Sequence, residues 1–296
     1  MLFRCLVVIA FATSGALAAS EQVTLPTRIR DDNRETREKA FRELHKRLMR
    51  ENADAETIEA FVLAGLETDH MLRMEADVLT GLVPVLALPH LRLFLSDPRA
   101  PVRAQAAYGL GTIGPAAATA QVTLLNCLRS DDDSVADAAG AAISKIDLNG
   151  SSFPELLDML RHADRNVRLR ASHALDHFHD RVRPLVAEVL PLVRLGDETE
   201  RYWLVNVIAN TKSTEPTVVR TLAALLLDDP SAFVRERCAR EFWEFVQTGV
   251  PIPEFVLNAL EQAANSDPVE GVRREASKAL ARSRSTSSSR CERSGR

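Results

Sequence analysis

Aromatic residues make up 5% of this 296-residue chain, with two tryptophans and two tyrosines among them. That scarcity argues against strands, which draw on aromatic and β-branched side chains, and favours helices packed through small and aliphatic residues. Charge of one sign is also missing. The formal net charge is −4 and the isoelectric point near 6.0, so the chain lacks the basic excess with which nucleic-acid binders neutralise phosphates. Of four cysteines, Cys5 lies at the extreme amino terminus, and Cys127, Cys238 and Cys291 are an odd, widely spaced set with no CxxC pair, so no disulfide framework and no zinc site are expected; the lack of CxxCH argues against attached c-type haem. Catalytic signatures are absent too: there is no HExxH, no GxSxG, no phosphate-binding loop and no dinucleotide fingerprint.

No run is apolar enough to span a bilayer. The most hydrophobic internal stretch, Val78 to Leu95, carries Pro84, Pro89, His90 and Arg92, and reads as two helices meeting at a corner. The amino terminus has a different character. Arg4 is followed by an apolar run from Cys5 to Ala12, and Ala16-Leu17-Ala18 forms a small-x-small pattern before Ser20. This is the layout of a secretory signal peptide over residues 1–19. It predicts an exported protein, periplasmic or secreted, with no membrane span once the signal is cleaved. Cys5 precedes the apolar segment, which speaks against a lipoprotein.

What the chain does contain is a repeat. An acidic loop precedes an apolar residue and an arginine, and small and apolar residues follow at helical spacing. The clearest copies centre on Val102-Arg103, Val167-Arg168, Val234-Arg235 and Val272-Arg273. Weaker ones centre on Thr36-Arg37, Leu72-Arg73, Val135-Ala136 and Glu200-Arg201. Successive anchors lie 36, 30, 33, 32, 33, 34 and 38 residues apart, the range of two-helix repeat units. In each unit the second helix begins at the anchor. It offers a column of mostly small residues (Ala40, Ala76, Ala106, Ala139, Ala171, Leu204, Cys238, Ala276) and, four residues on, the mainly apolar column Leu44, Thr80, Leu110, Ile143, Leu175, Ile208, Phe242 and Leu280. The first helix is a short aliphatic run, with Pro115, Pro154, Pro184, Pro216 or Pro253 near its start. Aspartate in the loop can cap the second helix, and the anchor arginine can bridge loops of successive units. Arg37, Arg73, Arg103, Arg168, Arg201, Arg235 and Arg273 would form that ladder. Ala136 interrupts it, and its junction is expected to be softer or kinked.

These Asp-(Pro)-x-x-x-Val-Arg-x-x-Ala-x-x-x-Leu units resemble HEAT repeats, especially the short variety named after phycobilisome lyases. The resemblance covers about residues 28–282. It implies an all-α, right-handed solenoid of about eight two-helix repeats over residues 20–282, followed by a disordered Ser/Arg-rich tail, 283–296. It also implies that the second helices line the concave surface. There, two positions beyond the small-residue column, lie Arg42, Val78, Tyr108, Ala141, His173, Asn206, Arg240 and Lys278. One turn on lie Lys46, Leu82, Thr112, Lys145, His177, Asn210, Glu244 and Arg282, most of the stripe being polar. This stripe is either a solvated helix face or a surface for a partner. As the latter it would centre on His173, His177, Asn206, Asn210, Arg240, Glu244 and Lys278, and its cations would complement an acidic protein surface.

Trp203 and Trp243 fall in columns otherwise free of large aromatics, as interface anchors or as fillers of irregular junctions. His173 and His177, four apart with Asp180 nearby, form the best metal candidate, but lack a third ligand with a clear spacing signal; solvated histidines are the simpler reading. Iron-binding HEAT-like hydroxylases carry repeated His-Glu pairs, and this chain has none. The expectation is therefore a monomeric, non-catalytic, cofactor-free scaffold for a protein partner. The alternative is a bilin-lyase-like enzyme or enzyme subunit acting on a protein-bound cofactor.

Overall fold

A computed structural model describes residues 24–50, 54–64, 84–130 and 132–294; the signal segment, Arg73 and the second helix of the second unit lie outside them. Among the described residues every regular element is helical. The first helices of the units are α1 (Leu25–Ile29), α3 (Ala55–Ala64), α4 (Pro84–Phe94), α6 (Gln121–Cys127), α8 (Phe153–Met159), α10 (Val186–Val189), α12 (Pro216–Asp228) and α14 (Glu254–Ser266). The second helices are α2 (Arg34–Met49), α5 (Ala100–Ile113), α7 (Asp133–Ile146), α9 (Arg165–Asp176), α11 (Glu198–Asn210), α13 (Ala232–Gln247) and α15 (Glu270–Ser294). From α5 to α15 each second helix packs on the next, while α1 on α3, α3 on α4 and α12 on α14 pack in a layer of first helices. The chain is an α-solenoid of stacked helix pairs.

The two columns explain the stacking. Every described member of both, from Ala40 and Leu44 to Ala276 and Leu280, is buried, and all belong to one hydrophobic core running the length of the array. Glycine brings neighbouring second helices closest. A Cβ on Gly111 would lie 2.9 Å from Ala142 Cα, and one on Gly140 would lie 3.0 Å from Ala174 Cα. Side chains cannot fit at either crossing.

The acidic loops act in two ways. Asp132, Asp164 and Asp197 cap α7, α9 and α11 directly, Asp197 in a capping box with Glu200. Where proline follows, as at Asp97, Asp229 and Asp267, the aspartate sits further upstream. Each then accepts the backbone N–H two residues on, closing a turn ahead of the helix instead of capping it. This corrects the expectation of a uniform cap.

Three elements depart from the repeat pattern. Pro84–Phe94 is one helix with Pro89 inside it; residues 78–83, the rest of the stretch expected to form two helices at a corner, lie outside the described residues. The first helix of the sixth unit is broken into 3₁₀ turns, His179–Leu185 and Leu190–Arg194, around the single turn α10. Pro184 and Pro191 cannot donate the backbone bonds a continuous helix requires. Finally, α15 continues through Ser294, past residue 282, where the composition suggested that structure ends. Between 283 and 294 there is neither proline nor glycine to stop it.

The candidate interaction surface

Each described anchor arginine bonds to its own loop, and those of the fifth, sixth and seventh units also reach the next repeat. Toward its own loop, Nη1 donates to backbone carbonyls five or six residues back: Arg37 to Asp31 and Asp32, Arg103 to Asp97 and Pro98, Arg168 to His162 and Ala163, Arg235 to Asp229 and Pro230, and Arg273 to Asp267 and Pro268. Arg201 donates to Gly196 O alone, at 3.0 Å. Toward the next repeat, Arg201 grips Asp229 with Nε and Nη2 at 2.9 and 3.0 Å, and Arg235 grips Asp267 at 2.7 and 3.1 Å. Arg168 reaches Glu200 with Nε alone, at 2.6 Å. Two N–H groups on two carboxylate oxygens fix direction as well as distance. At Ala136 no such side chain exists. There Arg170 reaches back to Asp133 and Arg129 forward to Glu155, tying neighbouring units from other positions.

The stripe on the second helices is built of exposed and half-buried polar groups. Arg42, Lys46, Lys145, Arg240 and Lys278 are exposed; His173, His177, Asn206, Asn210 and Glu244 are half-buried. The half-buried members are tied to adjacent units. His177 Nε2 lies 3.4 Å from Asp137 Oδ1, Asn210 Nδ2 donates to Asp176 at 2.7 Å, Asn206 accepts from Arg237, and Glu244 pairs with Lys212. Arg240 and Lys278 pair within their own helices, with Glu236 and Glu275. Lys145 lies 5.4 Å above the Tyr108 ring. The result is a lateral chain of polar side chains from the fourth unit to the seventh.

Both tryptophans are half-buried. Trp203 stacks on His173 of the preceding unit, centroids 4.0 Å apart, with Tyr202 edge-on at 5.7 Å; Trp243 packs against the core. His173 is thus committed to an aromatic contact. Its Nε2 is buried without a hydrogen-bond partner, and burial pushes its pKa down despite nearby Asp137 and Asp176. Burial likewise raises the carboxyl pKa of Asp176. Among the described residues no group of three or more His, Cys, Asp or Glu side chains is placed to hold a metal ion. Cys127 and Cys238 are free and buried.

Asp137, Asp176, Lys212, Arg237 and Glu241 are the residues that sequence reasoning missed. A signal for Arg237 was present: it shares the column of Arg170 and Trp203, and all three side chains reach the preceding second helix. Glu241, fully buried beneath this chain, meets Arg237 Nη1 at 3.3 Å and Lys212 Nζ at 3.4 Å.

No protein-family model matches the chain, and no curated relative does. Solved structures show the fold. Yeast importin-β is 14% identical, with a TM-score of 0.56 over 88% of this chain and 40% of its own, so the chain spans well under half of that protein. An engineered protein (18% identical, 88% and 77% covered, TM-score 0.45) and human deoxyhypusine hydroxylase in complex with glycerol (20%, 88% and 94%, 0.36) are similar too loosely to carry an argument. The likeness is one of fold, an all-helical solenoid of stacked helix pairs.

Proposed function

We propose that the chain is an exported, monomeric and non-catalytic scaffold, periplasmic or secreted, whose second helices hold a protein partner with an acidic surface. One observation carries the reading. From the fifth unit to the eighth the face of the second helices keeps polar side chains in register, and its exposed cations Arg240 and Lys278 lie on successive helices at the carboxyl-terminal end. Their ion pairs are exposed and exchange readily with a partner's carboxylates, steering association more than setting affinity. The half-buried bonds beneath them hold the face in shape. Export rests on the signal-like residues 1–19.

Two measurements test this. Amino-terminal sequencing of the protein from its native host should find a start near Ser20; an intact Met1 would remove export. Affinity capture from the native envelope or medium, comparing wild type with Arg240→Glu/Lys278→Glu, should lose the main partner from the variant. Unchanged capture would remove the stripe while leaving the fold intact.

A further inference from the structure

Six residues before the anchor arginine, most described units carry the acid or backbone that completes the ladder. The position is Asp31, Asp97, Asp229 and Asp267 in the first, third, seventh and eighth units, Ser130 in the fourth, His162 in the fifth and Leu195 in the sixth. Asp229 and Asp267 are the carboxylates that receive Nε and Nη2 of the preceding unit's arginine. Leu195 cannot do so, and its side chain is 58% exposed. Arg168, the arginine that would meet it, instead places Nε on Glu200 and Nη1 on its own loop. Among the described residues its Nη2 makes no hydrogen bond. Glu200 is in turn spent on Arg168 and on the Asp197 backbone N–H, 2.9 Å from Oε2.

A cavity of about 390 Å³ opens at this place, within the range of small-molecule sites. It lies where the loop after α8 and helix α9 meet the last 3₁₀ turn of the sixth unit's broken first helix and α11. Leu160, Leu192, Leu195 and Leu204 supply an apolar lining. Arg161, exposed and with its guanidinium donating to Leu157 O, lines the same cavity as Arg168. His162 accepts the Asp164 N–H at Nδ1, which leaves Nε2 as the proton-bearing nitrogen of the neutral ring. The cavity is thus lined by two guanidiniums against one carboxylate.

From this geometry we propose that the cavity between the fifth and sixth units binds a small carboxylate with a short aliphatic tail. The ligand's carboxylate takes the place of the missing ladder aspartate on Arg168, and its tail lies on the four leucines. Two-point recognition of this kind needs both ends: the tail alone leaves Arg168 unanswered, and a bare carboxylate forgoes the apolar contact. The site is independent of the stripe on the second helices.

Isothermal titration with octanoate and with 1-octanol, two probes sharing a tail, tests it. Octanoate should bind saturably at one site and octanol at least about tenfold more weakly, the difference of one charge-assisted contact. Leu195→Asp supplies the absent carboxylate and should abolish octanoate binding while circular dichroism remains native. Arg161→Gln, an exposed change that spares the fold, should weaken octanoate by several-fold. No saturable octanoate binding to wild type, equal binding of octanol, or undiminished binding by either variant would each overturn the proposal.

Discussion

Arg235 holds Asp267 of the next repeat with Nε and Nη2, at 2.7 and 3.1 Å, and its own loop with Nη1, 2.8 Å from Asp229 O. Both side chains are more than nine-tenths buried. Truncating one partner therefore strands a buried charge. Arg235→Ala should cost about 3–5 kcal/mol, whereas Arg34→Ala, which removes an exposed pair with Glu38, should cost about 0–1 kcal/mol. Urea unfolding of the two variants makes the comparison.

The same pair gives the array an acid limit. Burial alone would raise the Asp267 carboxyl pKa, but bonds from Arg235 and the Val269 N–H outweigh it and hold it below the usual range. A depressed folded-state value means that Asp267 contributes stability above the unfolded carboxyl pKa of about 3.9, and loses it as pH falls through the folded value. The stability gap between wild type and Asp267→Asn should close in that acid window and stay constant from about pH 5 to 7.

Glu241 should behave in the opposite sense. Burial raises its pKa, against the pull of Arg237 and Lys212 and with Glu244 adding to the rise. Its proton is held more tightly in the folded state, so its contribution is fully present below about pH 4.3 and is lost as pH rises through the folded value. Glu241→Gln should therefore look progressively better relative to wild type as pH increases toward neutrality, read from denaturation midpoints along a pH series. A difference independent of pH would contradict this.

Alanine normally improves a helix over glycine by about 1 kcal/mol. At Gly140 the new methyl would meet Ala174 backbone at 3.0 Å. Overpacking of this sort costs about 1–3 kcal/mol, so Gly140→Ala should lower the thermal midpoint despite the better propensity.

Cys127 and Cys238 should resist maleimide at neutral pH until the chain unfolds. Burial raises the thiol pKa of both, and neither side chain is open to solvent. Prompt labelling of Cys238 in native protein would place it outside the core.

Local periodicity made the repeat legible. The small column through Ala106, Ala139 and Ala171, and the apolar column through Leu110, Ile143 and Leu175, depend only on helical spacing, and both are buried. The lateral bonds were not legible. Whether Asn210 meets Asp176, or Trp203 meets His173, depends on the axial offset between neighbouring helices, and that offset is set by tertiary packing. The Asp-Pro loops misled for a related reason: proline moves the aspartate two residues upstream, and a cap becomes a turn. Pro184 is expected near the start of a first helix, yet with Pro191 it breaks that helix, and the opening beside Leu195 required the neighbouring units to be placed first.

An array whose members touch mainly their neighbours comes apart in an order, beginning where adjacent members are least coupled. The fragmented first helix of the sixth unit marks one candidate place, where Arg168 grips its neighbour through a single nitrogen and Arg165 adds an exposed pair with Asp197. Beyond it, Arg201 and Arg235 tie the sixth, seventh and eighth units together. If coupling there is the weakest, these units are expected to part from the rest as a block under mild denaturant or pulling force.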